Sequence, residues 1–210
     1  RYIELIASKI AQLLGINCAE YKTVTIQEKD YYLSPDLNNK GSFLTAEDLG
    51  IETYNLNEIF KILDEIYPNN EQLKRDLVKV YLMDIICLNI DRKNDNWGIQ
   101  VVDGKPVLTI LDNSLFFIHN ETIITSMSNN PDRNSVRDLE YFLESFPAEY
   151  TCLFDEVYNL LTSNTLQQII KLVEYETRVI VPYKQNYFSR LELQRERIDG
   201  IINKESKVYV

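Results

Sequence analysis

Apolar residues recur at helical spacing from the start of the chain. Ile3, Ile6, Ala7, Ile10, Leu13 and Leu14 form a stripe that Gly15 stops, and Glu4 sits beside that stripe rather than opposite it. YKTVTI and a short YYL then read as two strands of a hairpin around QEKD. SPDLNNKGS is turn chemistry, a linker or hinge between two halves. TAED, from Thr45 to Asp48, has capping-box spacing ahead of a short segment. Helical periodicity over Asn57–Tyr67 breaks at PNN. It resumes over Glu71–Leu88, with Leu73, Leu77, Val80, Tyr81, Ile85 and Leu88 facing inward.

That long helix runs into NIDRKNDNWG, residues Asn89 to Gly98. Here two aspartates, three asparagines and two cations stand between apolar neighbours. WGIQVV and VLTILD follow, separated by DGKP, and Asp-Gly between two β-rich runs predicts a tight hairpin. Beyond Asn113, SNNPDRNS predicts a mobile loop, and residues 138 to 204 read as three or four helices. Neither an internal repeat nor a low-complexity segment is present.

Composition narrows the classes. With 45% hydrophobic residues, 14 tyrosines and 8 phenylalanines the chain can fill a core and is not a disordered one. The formal charge of −10 argues against direct nucleic-acid binding and against an anionic membrane surface. A phosphate-bearing ligand here needs local help, for which a metal cation is the natural source. Cys18, Cys87 and Cys152 lie far apart without a CxxC, so buried free thiols in a cytoplasmic protein are expected. His119, the lone histidine, reads as a loop residue and gives no basis for a His triad or His-rich metal site. No signal peptide is evident, and no apolar run approaches the ~18 residues of a membrane span. The chain starts at Arg1 and enters a helix at once, so a fragment, or the ordered part of something longer, is expected.

The hairpin makes a geometric prediction. If Asp103-Gly104 is a two-residue turn, paired residues have numbers summing to about 207. Asn96 then lies across from Leu111, with Asp112 beside it at the open end. Opposed strand residues have Cβ atoms ~5 Å apart, so Asn96 and Asp112 should form adjacent oxygen ligands. Asp91, on the loop leaving the long helix, can reach the same small volume. Two carboxylates and an amide oxygen suit a hard cation such as Mg²⁺. A carboxylate left free of metal could accept a proton from an attacking hydroxyl. Taken alone, Asp91 and Asn96 would equally suit a helix end followed by an Asx turn. The strand-linked second aspartate is what tips the balance toward a phosphoryl-transfer site.

NIDRKNDNWG followed by TILDNSLFF resembles the catalytic and metal-binding segments of the HipA-like kinases, which in turn resemble phosphatidylinositol kinases. The resemblance implies an α+β, protein-kinase-like fold. Residues 1–40 would be the end of an N-lobe (helix, hairpin and hinge), and 41–210 a mostly helical C-lobe carrying the catalytic hairpin. It implies that Asp91 is the catalytic aspartate, and that Asn96 and Asp112 hold the metal. Upstream, ELIASKIAQLLGI is similar to the family's N-lobe helix, where Glu4 would hold the ATP-binding lysine. YYLSPDLN is similar to the hinge that reads adenine through its backbone, which points to Tyr32, Leu33 and Ser34. The implied cofactors are ATP and Mg²⁺, the implied substrate Ser or Thr of a protein, and an antitoxin is a conceivable partner.

Two departures stand beside the resemblance. Lys93 occupies the place of the family's histidine after Asp-Arg. Within residues 1–210 the glycines (15, 41, 50, 98, 104 and 200) are scattered and form no Gly-rich phosphate loop, and no β3 lysine stands ahead of the helix, so this fragment alone is expected to bind ATP poorly and to be inactive. A pseudokinase, or a C-lobe module that regulates a partner, is therefore the alternative in a different class. A phosphoinositide-type lipid kinase would share the site but lacks the basic membrane face. Among the remaining motif residues, Arg92 is expected to pair with a nearby acid and Lys93 to be a solvated charge. Trp97 is expected to anchor the core.

Overall fold

The axis of the fold is a helix with almost no solvent-facing side at its C-terminal end. The computed structural model describes residues 2–19, 21–27, 29–33, 36–37, 42–89, 91–113, 115–117 and 148–205. Its elements in chain order are α1 (Tyr2–Leu13), β1 (Asn17–Cys18), β2 (Lys22–Ile26), β3 (Lys29–Leu33), β4 (Phe43–Thr45), α2 (Leu56–Ile66), α3 (Glu71–Ile86), β5 (Trp97–Val102), β6 (Lys105–Ile110), α4 (Ala148–Leu160), α5 (Ser163–Thr177) and α6 (Lys184–Glu205). The architecture is α+β and mostly helical. From Val80 to Ile86 every residue of α3 is buried, because α2, α4, α6 and β6 all pack on it. A helix covered from all sides must be apolar all round, which is why its pattern is broader than a one-faced stripe.

Side-chain caps define where the helices begin. Asn55 Oδ1 accepts the N–H groups of Asn57 and Glu58 at 3.0 and 3.3 Å, and Asn70 Oδ1 accepts that of Leu73 at 3.3 Å. The Thr45–Asp48 box forms reciprocally: Thr45 N–H donates to Asp48 Oδ2, and Asp48 N–H to Thr45 Oγ1, each at 3.0 Å. It closes a turn over residues 46–50 instead of starting a helix.

The strands form a four-stranded sheet in the order β1-β6-β5-β4 and a separate two-stranded sheet, β2-β3. β5 and β6 pair antiparallel, Trp97 with Ile110 through Val102 with Lys105. These are the pairs that a turn at Asp103-Gly104 dictates, and both turn residues have positive φ, 50° and 74°. β4 joins the outer side of β5 so closely that a Cβ on Gly98 would run into the Leu44 carbonyl and stand 2.8 Å from Thr45 Cα. β1 pairs parallel with β6, which the local pattern around Asn17 did not announce.

The first helix departs from its expected stripe at one end. Leu5, Ile6, Ala7, Ile10 and Ala11 are buried, but Leu13 faces solvent. Leu14 takes its place in the core beside Ile16. Cys18 and Cys87 are buried free thiols as expected, whereas Cys152 is exposed on α4. No described helix is long and apolar enough to cross a membrane. His119, the SNNPDRNS loop and Ser34 lie outside the described residues.

Candidate active site

The polar stretch begins where α3 ends. Leu88 takes a left-handed conformation, φ 52°, and Asn89 N–H returns to the Asp84 carbonyl at 2.9 Å. This is the bond that closes a helix when a residue with positive φ follows it. Glycine usually fills that place, since a side chain there costs about 1–2 kcal/mol. The turn re-aims the chain so that Asp91 to Asn96 lie over the open end of the β5–β6 hairpin.

Three bonds fix that placement. Asn96 Nδ2 donates to the Asp91 carbonyl at 2.8 Å, so its Oδ1 is the atom left for a cation. Asn96 O accepts the Leu111 N–H at 3.0 Å, extending the hairpin ladder by one pair. Asp112 is the next residue, as the register argument requires. It has positive φ, 45°, and its N–H donates to the Tyr21 hydroxyl at 3.2 Å. Sparsely populated backbone of this kind is held by its surroundings and clusters at functional sites.

Arg92 joins the pieces. Nε and Nη2 donate to the Asp84 carboxylate at 2.9 and 3.0 Å. Nη1 donates to the carbonyls of Asn96 and Leu111 at 3.0 and 3.1 Å, and Nη2 also reaches Asn113 Oδ1 at 2.5 Å. All five N–H groups of the guanidinium are used. The expected acid partner is therefore Asp84, with the pair almost wholly excluded from water. Lys93 is more than a solvated charge: its half-exposed ammonium lies 3.5 Å from Asp91 Oδ1. Trp97 is buried beneath the hairpin.

Glu4 reaches the same place from α1. Its Oε2 accepts the Asn113 N–H at 3.0 Å, next door to Asp112. Burial pushes its carboxyl up from 4.5 to about 7; the Asn113 N–H opposes this, and the neighbouring Asp112 carboxylate adds to it. Among the described residues its neighbours are Asn113 and Asp112. The chain segments that carry Asp91, Asn96 and Asp112 thus meet at one loop–hairpin junction. With Glu4 these residues offer oxygen donors only, the kind a hard divalent cation takes, although among the described residues no three Asp, Glu, His or Cys side chains stand close enough together to hold an ion by themselves.

The adenine-reading residues are placed less completely. Tyr32 and Leu33 lie in β3, paired with Thr23 and Lys22. Among the described residues no strand pairs with the other edge of β3, and a free backbone edge is what reading a base through the backbone needs. Leu33 is exposed. Just beyond, the Leu37 carbonyl accepts Gln100 Nε2 at 2.7 Å, tying this segment to β5.

Two residues of the site went unremarked in the sequence, Asp84 and Tyr21. A lone acid inside the apolar run YLMDIICL was a usable signal, because a buried charge demands a partner. Nothing local marked Tyr21.

No protein-family model matches the chain, and no curated protein matches it by sequence. Solved structures do. The Helicobacter pylori proinflammatory kinase CtkA superposes with a TM-score of 0.67 at 16% identity, over 100% of this chain and 88% of that one. The fold is kinase-like. HipA of Shewanella oneidensis MR-1, solved with HipB and operator DNA as a toxin–antitoxin system, superposes with a TM-score of 0.50 at 16% identity. That match covers 93% of this chain and 57% of HipA. At such identity the likeness is one of fold, and the chemistry has to be argued from the residues.

Proposed function

We propose that the protein is an ATP- and Mg²⁺-dependent phosphotransferase acting on a hydroxyl, that of Ser or Thr in a protein substrate, in the cytoplasm. The observation that carries this reading is the meeting of the loop that holds Asp91 and Asn96 with the hairpin end that leads to Asp112, through the Asn96–Asp91 and Leu111–Asn96 bonds. A kinase-like fold around that junction supports it. Asp91 orients the substrate hydroxyl and accepts its proton as the oxygen bonds to the terminal phosphorus and the bridging P–O bond breaks. Asn96 Oδ1 and the Asp112 carboxylate would hold the metal, while the outer edge of β3 at Tyr32 and Leu33, together with Ser34 next in sequence, would receive the base. Mg²⁺-ATP supplies the phosphoryl group together with the positive charge that offsets it. The arrangement of HipA with HipB suggests an antitoxin-like partner for this chain too.

A pseudokinase or regulatory module is the second reading. It is favoured by Lys93, which stands where the resemblance has a histidine and whose ammonium lies 3.5 Å from Asp91 Oδ1. The test is transfer of labelled phosphate from Mg²⁺-ATP to protein by the full-length chain. Asp91→Ala should slow transfer about 10²- to 10⁴-fold and leave nucleotide binding in place. Binding without any transfer by the wild type would decide for the pseudokinase, and an unaffected Asp91→Ala would remove Asp91 from the mechanism.

A further inference from the structure

We propose that Asp84 is a positioning residue for phosphoryl transfer, acting through Arg92 to set the Asp91–Asn96 loop against the segment that carries Asp112. This rests on the kinase reading above. Asp84 lies in the last turn of α3 and is 1% exposed. Its carboxylate receives three bonds, all from the loop: Arg92 Nε on Oδ2, and Arg92 Nη2 and Asn89 Nδ2 on Oδ1, at 2.9, 3.0 and 2.8 Å. Asn89 Oδ1 in turn accepts the Asp91 N–H at 3.4 Å. One helical carboxylate therefore holds the chain on both sides of Asp91.

The far side of the same guanidinium reaches the other half of the site. Its targets are the carbonyls of Asn96 and Leu111 and the side chain of Asn113. These are one metal-ligand candidate and the two residues flanking the other. The fork geometry matters here, because a point charge with three rotatable donors cannot satisfy carboxylate, two carbonyls and an amide at fixed angles. Reacting groups must be held to within a fraction of an ångström for efficient transfer, so loosening this clamp should lower the rate even where folding is restored.

Stability alone would not require the pair. A buried ion pair can often be replaced by apolar residues of similar volume with little loss of stability, while removing one partner is strongly destabilising. That separates a structural from a positioning role. The experiment uses full-length protein and compares wild type, Arg92→Met, Arg92→Lys and the double variant Asp84→Leu/Arg92→Met. The readouts are thermal melting, Mn²⁺ binding by electron paramagnetic resonance, and kcat and KM for phosphate transfer.

The double variant should recover the melting temperature that Arg92→Met loses. Its Mn²⁺ affinity and kcat should both stay about 10- to 100-fold below wild type. Arg92→Lys, which keeps the charge and loses the fork, should show the same lowered kcat with KM for the protein substrate little changed. Wild-type Mn²⁺ affinity and kcat in either variant would overturn the proposal and leave the pair a structural one. A wild type that takes up neither Mn²⁺ nor ATP would overturn the kinase reading, and this inference with it.

Discussion

Asp84, wholly buried, and Glu4, half-buried, both bring a carboxyl group to the same junction, and their surroundings are opposite. Asp84 meets a guanidinium bidentately and an asparagine amide. Glu4 meets a backbone N–H and the carboxylate of Asp112. The chain thus neutralises one buried acid internally and leaves the other leaning on a like charge. A paired buried charge locks its neighbours in place. Where like charges stand side by side, a cation that arrives from solution relieves their repulsion. The difference divides the junction into a framework and a receiving side.

The first way to break this contrast is Arg92→Met, which should destabilise the protein by about 3–5 kcal/mol because Asp84 is left buried and unpaired. Urea unfolding measures it, and a loss below ~1 kcal/mol would mean Asp84 is not held as a buried charge. Next in size is Asp112→Ala. Mg²⁺-nucleotide at 100 times its dissociation constant should stabilise the wild type by about 2.7 kcal/mol, and that gain should vanish in the variant. The nucleotide-free variant should melt no lower than wild type, since Glu4 loses a like-charged neighbour. A ligand-induced shift that survives Asp112→Ala would move the metal away from the receiving side.

The smallest effect is on pH dependence. Glu4 is raised to about 7 in the folded protein from an ordinary 4.5, so the native state holds the proton more tightly than the unfolded chain between those values. Its contribution is full below about 4.5, declines as pH rises and is gone above about 7. In chelator-treated protein the melting-temperature difference between wild type and Glu4→Gln should therefore drift against wild type across that window. A pH-independent difference would show that Glu4 has ordinary surroundings.

Much of this junction was legible because short-range rules govern it. Asp103-Gly104 fixes a two-residue turn, and the turn fixes every pair back to Trp97 and Ile110. Asn96 and Asp112 follow from counting. The length and the inward face of α3 were equally plain, since a strongly periodic helix needs no knowledge of its partners. What counting cannot supply is contact between distant segments. The parallel pairing of β1 with β6, the Tyr21 hydroxyl on Asp112 and the Glu4 carboxylate on Asn113 each span 90 residues or more. The Thr45–Asp48 box shows the reverse failure, where a correct local geometry closes a turn because no apolar periodicity follows to extend it. Leu13 was misplaced because the core stops at the last turn of α1, where Leu14 and Ile16 close it.

The β5–β6 hairpin also separates what must be kept from what can be changed. Its two demanding positions sit at the open end, and six residue pairs separate them from the tip. The tip touches neither, so residues inserted between Asp103 and Gly104 would lengthen a loop that points away from the site. Each doubling of such a loop costs only about 0.6 kcal/mol. One residue inserted inside β6 would instead shift the register and turn every following side chain to the opposite face, Asp112 with them. For anyone fitting this protein with an affinity tag or a fluorophore, the turn at Asp103-Gly104 is the internal site at which to place it.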